Sequence, residues 1–168
     1  MAVELRPAYS YQKEIGELFG EYTRMLVETD PTFQQYLTIQ NYDDELKHLE
    51  HKYGLPDGRL YIALDGETVL GCVGLRRLDA ENCELKRMYV RPAFRRRGLS
   101  RVLLERVIAD AREIGYKAML LDTLPQLTAA IALYHKYGFY EIPCYNDSPV
   151  ESTIFMKLDL KKTIDRHF

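Results

Sequence analysis

The stretch VRPAFRRRGLSRVLLERV, residues 90–107, carries the end of an apolar strand pattern into a helix by way of three consecutive arginines and a glycine. A helix start is already the positive end of its macrodipole, so Arg95, Arg96 and Arg97 are repelled there unless an anion lies between them. The first N–H groups of a helix beginning near Gly98 have no partners within the helix, and the preceding loop can turn them towards one point. Glycine lets the backbone approach a ligand with no Cβ in the way, and arginines add charge-assisted bonds. A phosphate or pyrophosphate suits such a turn. The alternative is a solvated charge run, but the glycine and the place between strand and helix favour the anion. The stretch lacks the lysine and spacing of a Walker A loop and the G-x-G-x-x-G of a dinucleotide fold, so the phosphate belongs to another kind of ligand.

Outward from this stretch the periods are clear. The helix has Leu99, Val102, Leu103, Val107, Ala111 and Ile114 on one side, with Gly115 as its cap, and the apolar strand YKAMLLDT follows. Strand, helix and strand over residues 83–123 form a crossover unit, which makes the two strands parallel neighbours. Upstream, RLYIALD and ETVLGCVGLRRLD flank an Asp65-Gly66 turn and read as a hairpin, with CELKRMYV as the third strand of a meander. The N-terminal part reads as a strand, VELRP, a helix ended by Pro31, and a second helix through YDDELKHLEHKYG. LTAAIALYHKYG is a further helix, and FYEIPCY and ESTIFMKLDL are the last strands. Residues 1–168 therefore read as one domain of mixed α/β class.

Composition limits the partners. With 168 residues, 46% of them hydrophobic, the chain can bury a sizeable core. Lys plus Arg number 23 against 25 Asp plus Glu, a net charge of -2, which argues against a nucleic-acid binder. Cys72, Cys83 and Cys144 are too scattered for a disulfide framework or paired zinc motif. No apolar run reaches the ~20 residues of a membrane span and MAVELRPAYS has no signal-like core, so the expectation is a cytoplasmic protein with no membrane partner.

The run Arg95-Arg96-Arg97-Gly98-Leu99-Ser100 resembles the pyrophosphate signature of the GNAT superfamily, the acetyl-CoA-dependent N-acetyltransferases. Ser100 stands where that signature has Gly or Ala. The element order is similar too, and AIALYHKYGF looks like the family's penultimate helix and following strand, with Leu127 where many relatives have asparagine. The resemblance implies a GNAT fold: a mostly antiparallel mixed sheet, flanked by helices, whose one parallel strand pair splays apart to admit acetyl-CoA. By the same resemblance the backbone of Met88 and Val90 would pair with the pantetheine arm, Arg95, Arg96, Arg97, Gly98, Ser100 and Arg101 would surround the pyrophosphate, and Leu124 and Ala130 would line the slot.

Acyl transfer from a thioester needs a neutral amine, yet a lysine-like amine has a pKa near ~10.4, so a base must be in reach. Glu84, 14 positions before Gly98, resembles the catalytic glutamate of some GNAT enzymes; its alternative is a strand residue paired with Arg76 or Arg77. Tyr134 sits in an apolar stripe where tyrosine is usually core, but the resemblance makes it the acid that protonates the departing thiolate, and leaves Tyr137 as the core residue. The Met88 N–H is the expected oxyanion donor. Strand alternation turns Cys83 away from Glu84, as a structural residue. His48 and His51 could share a metal, but no third ligand is evident, so no metal is expected; His167 lies in a tail expected to be loose.

The acceptor pocket is expected among the N-terminal helices, the 79–82 loop, the DTLP turn and the CYNDSPVE loop. These combine Asp122, Asp147 and Glu151 with Arg76, Arg77, Lys86 and Arg87. The cations suit a carboxylate and hence an amino acid-like amine; the acids suit a polyamine, aminoglycoside or protein amine. The absence of a long acidic groove favours the small molecule. A protein or peptide acetyltransferase and a non-catalytic acyl-CoA-binding module stay open, and a homodimer through the C-terminal strands is compatible with the sequence.

Overall fold

A computed structural model describes residues 2–160. Strand β1 (Glu4–Pro7) leads into helix α1 (Gln12–Thr29), two short helices α2 (Phe33–Ile39) and α3 (Tyr42–Lys47), and α4 (Leu49–Tyr53). The meander β2 (Arg59–Asp65), β3 (Thr68–Arg77) and β4 (Asn82–Val90) follows, then α5 (Leu99–Ile114), β5 (Ala118–Thr123), α6 (Thr128–Lys136), β6 (Tyr140–Ile142) and β7 (Ile154–Asp159). They form a seven-stranded sheet in the order β1-β2-β3-β4-β5-β7-β6, antiparallel except for the pair β4 and β5. The expected mixed sheet with one parallel pair is therefore what the chain builds. The expectation for His167 lies outside the described residues.

Alternation along the strands divides the core between the two faces of the sheet. Leu60, Ile62 and Leu64 pack with Ile15, Leu18 and Phe19 of α1, whereas Tyr61 and Ala63 face the cluster under α5, with Leu103, Leu104 and Val107. Being covered on both faces, β2 reads as a continuous apolar run rather than an alternating one. The hairpin loop is Gly66-Glu67, with Gly66 at φ 60°, and Gly115 closes α5 at φ 106° with its N–H on the Ala111 carbonyl. Both are conformations that glycine adopts at little cost.

The N-terminal helices differ from expectation. Beyond Pro31 the chain makes the seven-residue helix α2, about two turns long, which buries Phe33, Tyr36 and Leu37. The expected single helix through residues 42–53 breaks at His48, whose φ of -136° and ψ of 72° lie outside the helical region. In a straight helix, residues seven and eight apart stand about 10–12 Å apart along the axis. The break instead brings both Lys52 Nζ and Tyr53 Oη to 2.8 Å from the Glu45 carboxylate. No helix among the described residues is long and apolar enough to cross a membrane.

Candidate active site

The parallel ladder between β4 and β5 has three register pairs, Asn82 to Glu84 against Ala118 to Leu120, and then stops. Beyond it the strands diverge, because β4 carries a bulge against β3: Cys72 pairs with Tyr89 but Gly74 with Lys86, and Arg87 sits in the extra position at φ 57°. A non-glycine residue in that region has to be held there. Two charged hydrogen bonds from Arg87 to Glu45, at 2.8 and 2.9 Å, and a third to Gln40 at 2.7 Å do so. Past the bulge, the Arg91 N–H donates to the Leu70 carbonyl in β3. Alternation then turns the backbone of Met88 and Val90 away from β3, to the open side.

The arginine loop follows. Arg96 has φ 66° and Gly98 φ 78°, two left-handed residues that reverse the chain into α5, whose start has no side-chain cap. Its leading N–H groups and the exposed Arg95, Arg96, Arg97 and Arg101 together form a positive rim, with Ser100 in the first turn. Arg95 is tied back: its Nε donates to the Val90 carbonyl at 2.9 Å, and its guanidinium lies over the Tyr89 ring. That carbonyl is thus already engaged, which leaves the Val90 N–H for any extended ligand arm. Arg101 is within 3.9 Å of Glu105.

Between the diverging strands lies a cleft of about 530 Å³ walled by Leu85, Lys86, Arg87 and Met88 from β4 and by Leu121, Asp122, Thr123 and Leu124 from β5 and its end. Tyr134 reaches it from α6, and Tyr22, Phe33 and Tyr36 close it from the N-terminal helices. Leu124 lines the cleft, and Ala130 packs against the core beneath α5. Tyr134 is 7% exposed, its ring is tilted against Phe139, and its hydroxyl makes no hydrogen bond among the described residues. Burial holds that hydroxyl protonated, well above the ordinary tyrosine range. Tyr137, expected as a core residue, is only partly buried: just past the end of α6 its ring packs against the edge of the core cluster while its hydroxyl reaches out to Glu105.

A second cavity, of about 710 Å³, adjoins the first and shares Tyr36, Gln40 and Lys86 with it. Glu84 lies there with Arg76, Tyr145 and Asn146. The carboxylate is 3% exposed and accepts from Arg76 Nε at 2.8 Å, the cross-strand pairing that the sequence offered for it, and from the Tyr145 hydroxyl. Burial alone would raise its pKa, but the neighbouring charges of Lys86 and Arg76 and both hydrogen bonds hold it below the ordinary carboxylate range. Asp122 accepts from the Tyr36 hydroxyl and, at 2.8 Å, from Asn146 Nδ2.

Other candidates are resolved by their neighbours. Arg87, expected to face the acceptor, is 4% exposed and committed to Glu45. Burial would raise Glu45, yet the Arg87 and Lys52 charges and hydrogen bonds bring it down to about 2. Residues 79–82 close on themselves, with the Asp79 carboxylate accepting from the Glu81 and Asn82 N–H groups, and line neither cavity. Cys83 donates to the Ala118 carbonyl, with its thiol pushed up to about 12 by burial, in keeping with a structural role. Near His48 and His51 the structure adds the ligand that sequence spacing did not reveal: a Glu50 oxygen and the two histidine nitrogens lie within 4.8 Å of one another, all exposed. The two imidazoles are stacked 4.6 Å apart in nearly parallel planes rather than aimed at one point. Tyr36, Tyr145 and Asn146 were not singled out from the sequence, since only the folded chain brings positions 24 to 110 residues apart together.

Comparison with known proteins agrees with this geometry. Residues 19–139 match the model of the Acetyltransferase (GNAT) family. An uncharacterised N-acetyltransferase of Schizosaccharomyces pombe is 39% identical over 132 residues, 77% of this chain and 81% of that protein. The crystal structure of a GNAT-family acetyltransferase from Staphylococcus aureus Mu50 superposes with a TM-score of 0.73 at 25% identity, covering 95% of this chain and 100% of that one. A GNAT-family acetyltransferase from Elizabethkingia anophelis, solved with acetyl-CoA bound, is 27% identical with a TM-score of 0.52, over 61% of this chain and 76% of its own.

Proposed function

Because this chain belongs to the GNAT acetyltransferase family and is an N-acetyltransferase, we propose that it moves an acetyl group from acetyl-CoA directly to the primary amine of a small, amino acid-like molecule, with both substrates bound together. The observation that carries the reading is the divergence of β4 from β5 after Glu84, which opens a cleft flanked by the positive rim before α5 and by the unbonded hydroxyl of Tyr134. The rim suits a pyrophosphate, since helix-start N–H groups and arginines both favour one.

Each residue then has a defined task. Arg95, Arg96, Arg97, Gly98, Ser100 and Arg101 hold the phosphates, and the backbone of Met88 and the Val90 N–H align the arm that bears the thioester. The amine nitrogen attacks the carbonyl carbon, and the Met88 N–H receives the negative charge that develops on its oxygen. Tyr134 gives its proton to the sulfur as the carbon–sulfur bond breaks. The nitrogen, made acidic by its new bond to carbon, loses a proton towards Glu84, with the Tyr145 hydroxyl as the intervening group. Holding amine and thioester in one cleft supplies much of the remaining rate.

The test is release of free thiol from acetyl-CoA with pools of amino acids, polyamines, aminoglycosides and lysine peptides, beside titration calorimetry of acetyl-CoA alone. Release that depends on a small-molecule pool supports the reading. Release with lysine peptides alone replaces the small molecule by a protein acceptor, and binding with no release from any pool favours an acyl-CoA-binding module.

A further inference from the structure

Four cations were expected around the acceptor, and three are already neutralised. Arg76 is paired with Glu84 at 2.8 Å, Arg77 with Asp57 at 3.6 Å and Arg87 with Glu45 at 2.8 Å. Lys86 differs: among the described residues it makes neither a hydrogen bond nor an ion pair, and its Nζ stands 6.0 Å from the centre of the Tyr36 ring. The residue is only 9% exposed. No side-chain nitrogen or oxygen among the described residues is both sealed from solvent and unbonded, so the Lys86 ammonium opens on the cavities it lines. A buried charge without a partner is costly, and a chain that retains one has a use for it.

The geometry points to Lys86 as the group that binds a carboxylate of the acceptor, so that the substrate is an amine that also carries a carboxylic acid. This rests on the acetyl-transfer reading above. Lys86 lies two positions from both Glu84 and Met88 on β4, in the wall common to both cavities, so one small molecule can reach Lys86 and the cleft together. Its neighbours define the anion. The carboxylates of Glu84 and Asp122 are fixed by Arg76, Tyr145, Tyr36 and Asn146 and stay close enough to favour the Lys86 charge without bonding to it. Both acids repel any anion there, a phosphate dianion about twice as strongly as a carboxylate, so one cation beside two acids suits the singly charged group better. A polyamine meets the Lys86 ammonium as a like charge.

Burial lowers the Lys86 pKa, more than the pull of Glu84 restores it, and a bound carboxylate would favour the charged form.

The experiment compares kcat/KM for amino acids and for the matching amino acid amides, which differ in the carboxylate alone, in the wild type, Lys86→Met and Lys86→Arg. The wild type should prefer the acids, and Lys86→Met should reduce the acid-to-amide ratio by about 10- to 100-fold, the factor that a charged hydrogen bond supplies. The loss should lie mainly in KM, and Lys86→Arg should recover part of the preference. Lys86→Met should also melt higher than the wild type, since it removes an unpaired buried charge, whereas a lysine with a structural task would make it melt lower. Equal rates for acids and amides in the wild type, or an unchanged ratio in Lys86→Met, overturn the assignment. Thiol release with polyamines or lysine peptides but not with amino acids also overturns it while leaving the transferase intact; no release from any pool overturns both.

Discussion

Replacing Glu45 with glutamine should remove about 3 kcal/mol of stability at neutral pH, and the size follows from the burial of its carboxylate. The side chain is 0% exposed and receives Arg87 through Nε and Nη2, Lys52 and the Tyr53 hydroxyl. A carboxyl at about 2 in the folded chain, against its ordinary value of 4.5, contributes roughly 3 kcal/mol when ionised, at about 1.36 kcal/mol for each tenfold change. An independent route agrees: removing one member of a buried ion pair costs about 3–5 kcal/mol, because Arg87 keeps its charge and loses its anion. Since the folded value is the lower one, the contribution is complete above pH 4.5 and disappears as the pH falls through about 2. Urea denaturation followed by far-ultraviolet circular dichroism measures this. With a slope of ~2 kcal/mol/M the midpoint at pH 7 should fall by about 1.5 M, and the wild-type and Glu45→Gln curves should converge as the pH approaches 2. A shift below about 0.5 M, or two curves that stay parallel into acid, would show that Glu45 is not the anchor of Arg87.

Three further substitutions test the proposed chemistry. Tyr134→Phe should lower kcat by about 10²- to 10⁴-fold, the usual worth of a positioned acid, with acetyl-CoA affinity in calorimetry nearly unchanged; wild-type turnover would leave Tyr134 as a packing residue. Gly98→Glu should weaken acetyl-CoA binding by more than about tenfold, through a negative charge at the pyrophosphate and a side chain forced to φ 78°, a region strained for residues with a Cβ. Unchanged affinity removes the loop from the phosphate site. Glu84→Gln should lower kcat/KM at every pH by a similar factor, because Glu84 is ionised throughout the neutral range and the rise of rate towards alkaline pH belongs to the acceptor amine. An acid limb near neutrality that vanishes in Glu84→Gln would show that Glu84 itself titrates there.

What the sequence made legible was local or periodic. The hairpin around Gly66, the cap at Gly115 and the crossover from β4 to β5 each rest on residues close in the chain, and the structure contains all three. The cofactor side is proposed from one short run, residues 95–100, which sequence reading can single out. The acceptor side was not. Its walls are joined by bonds such as Tyr145 to Glu84, 61 positions apart, and Asn146 to Tyr36, 110 apart, which no spacing rule connects. Composition gave Arg76, Arg77, Lys86 and Arg87 as four equivalent cations, and only their folded partners distinguish them. Helix α2 was missed because seven residues are too few to show a helical period, and the break at His48 because Glu45, Lys52 and Tyr53 converge in three dimensions, with no breaker residue to mark it.

The short ladder between β4 and β5 also bears on how long the molecule survives. Four strands lie on one side of it and three on the other, held in register by three residue pairs and the crossover through α5. Such a seam is a natural plane for partial opening, the kind of event through which proteases gain access. A ligand that grips both edges closes the plane, and at a hundredfold excess over its Kd it adds about 2.7 kcal/mol. If the acetyl donor binds across this seam as proposed, limited proteolysis should slow as acetyl-CoA is added, and the lifetime of the chain would follow the supply of its donor.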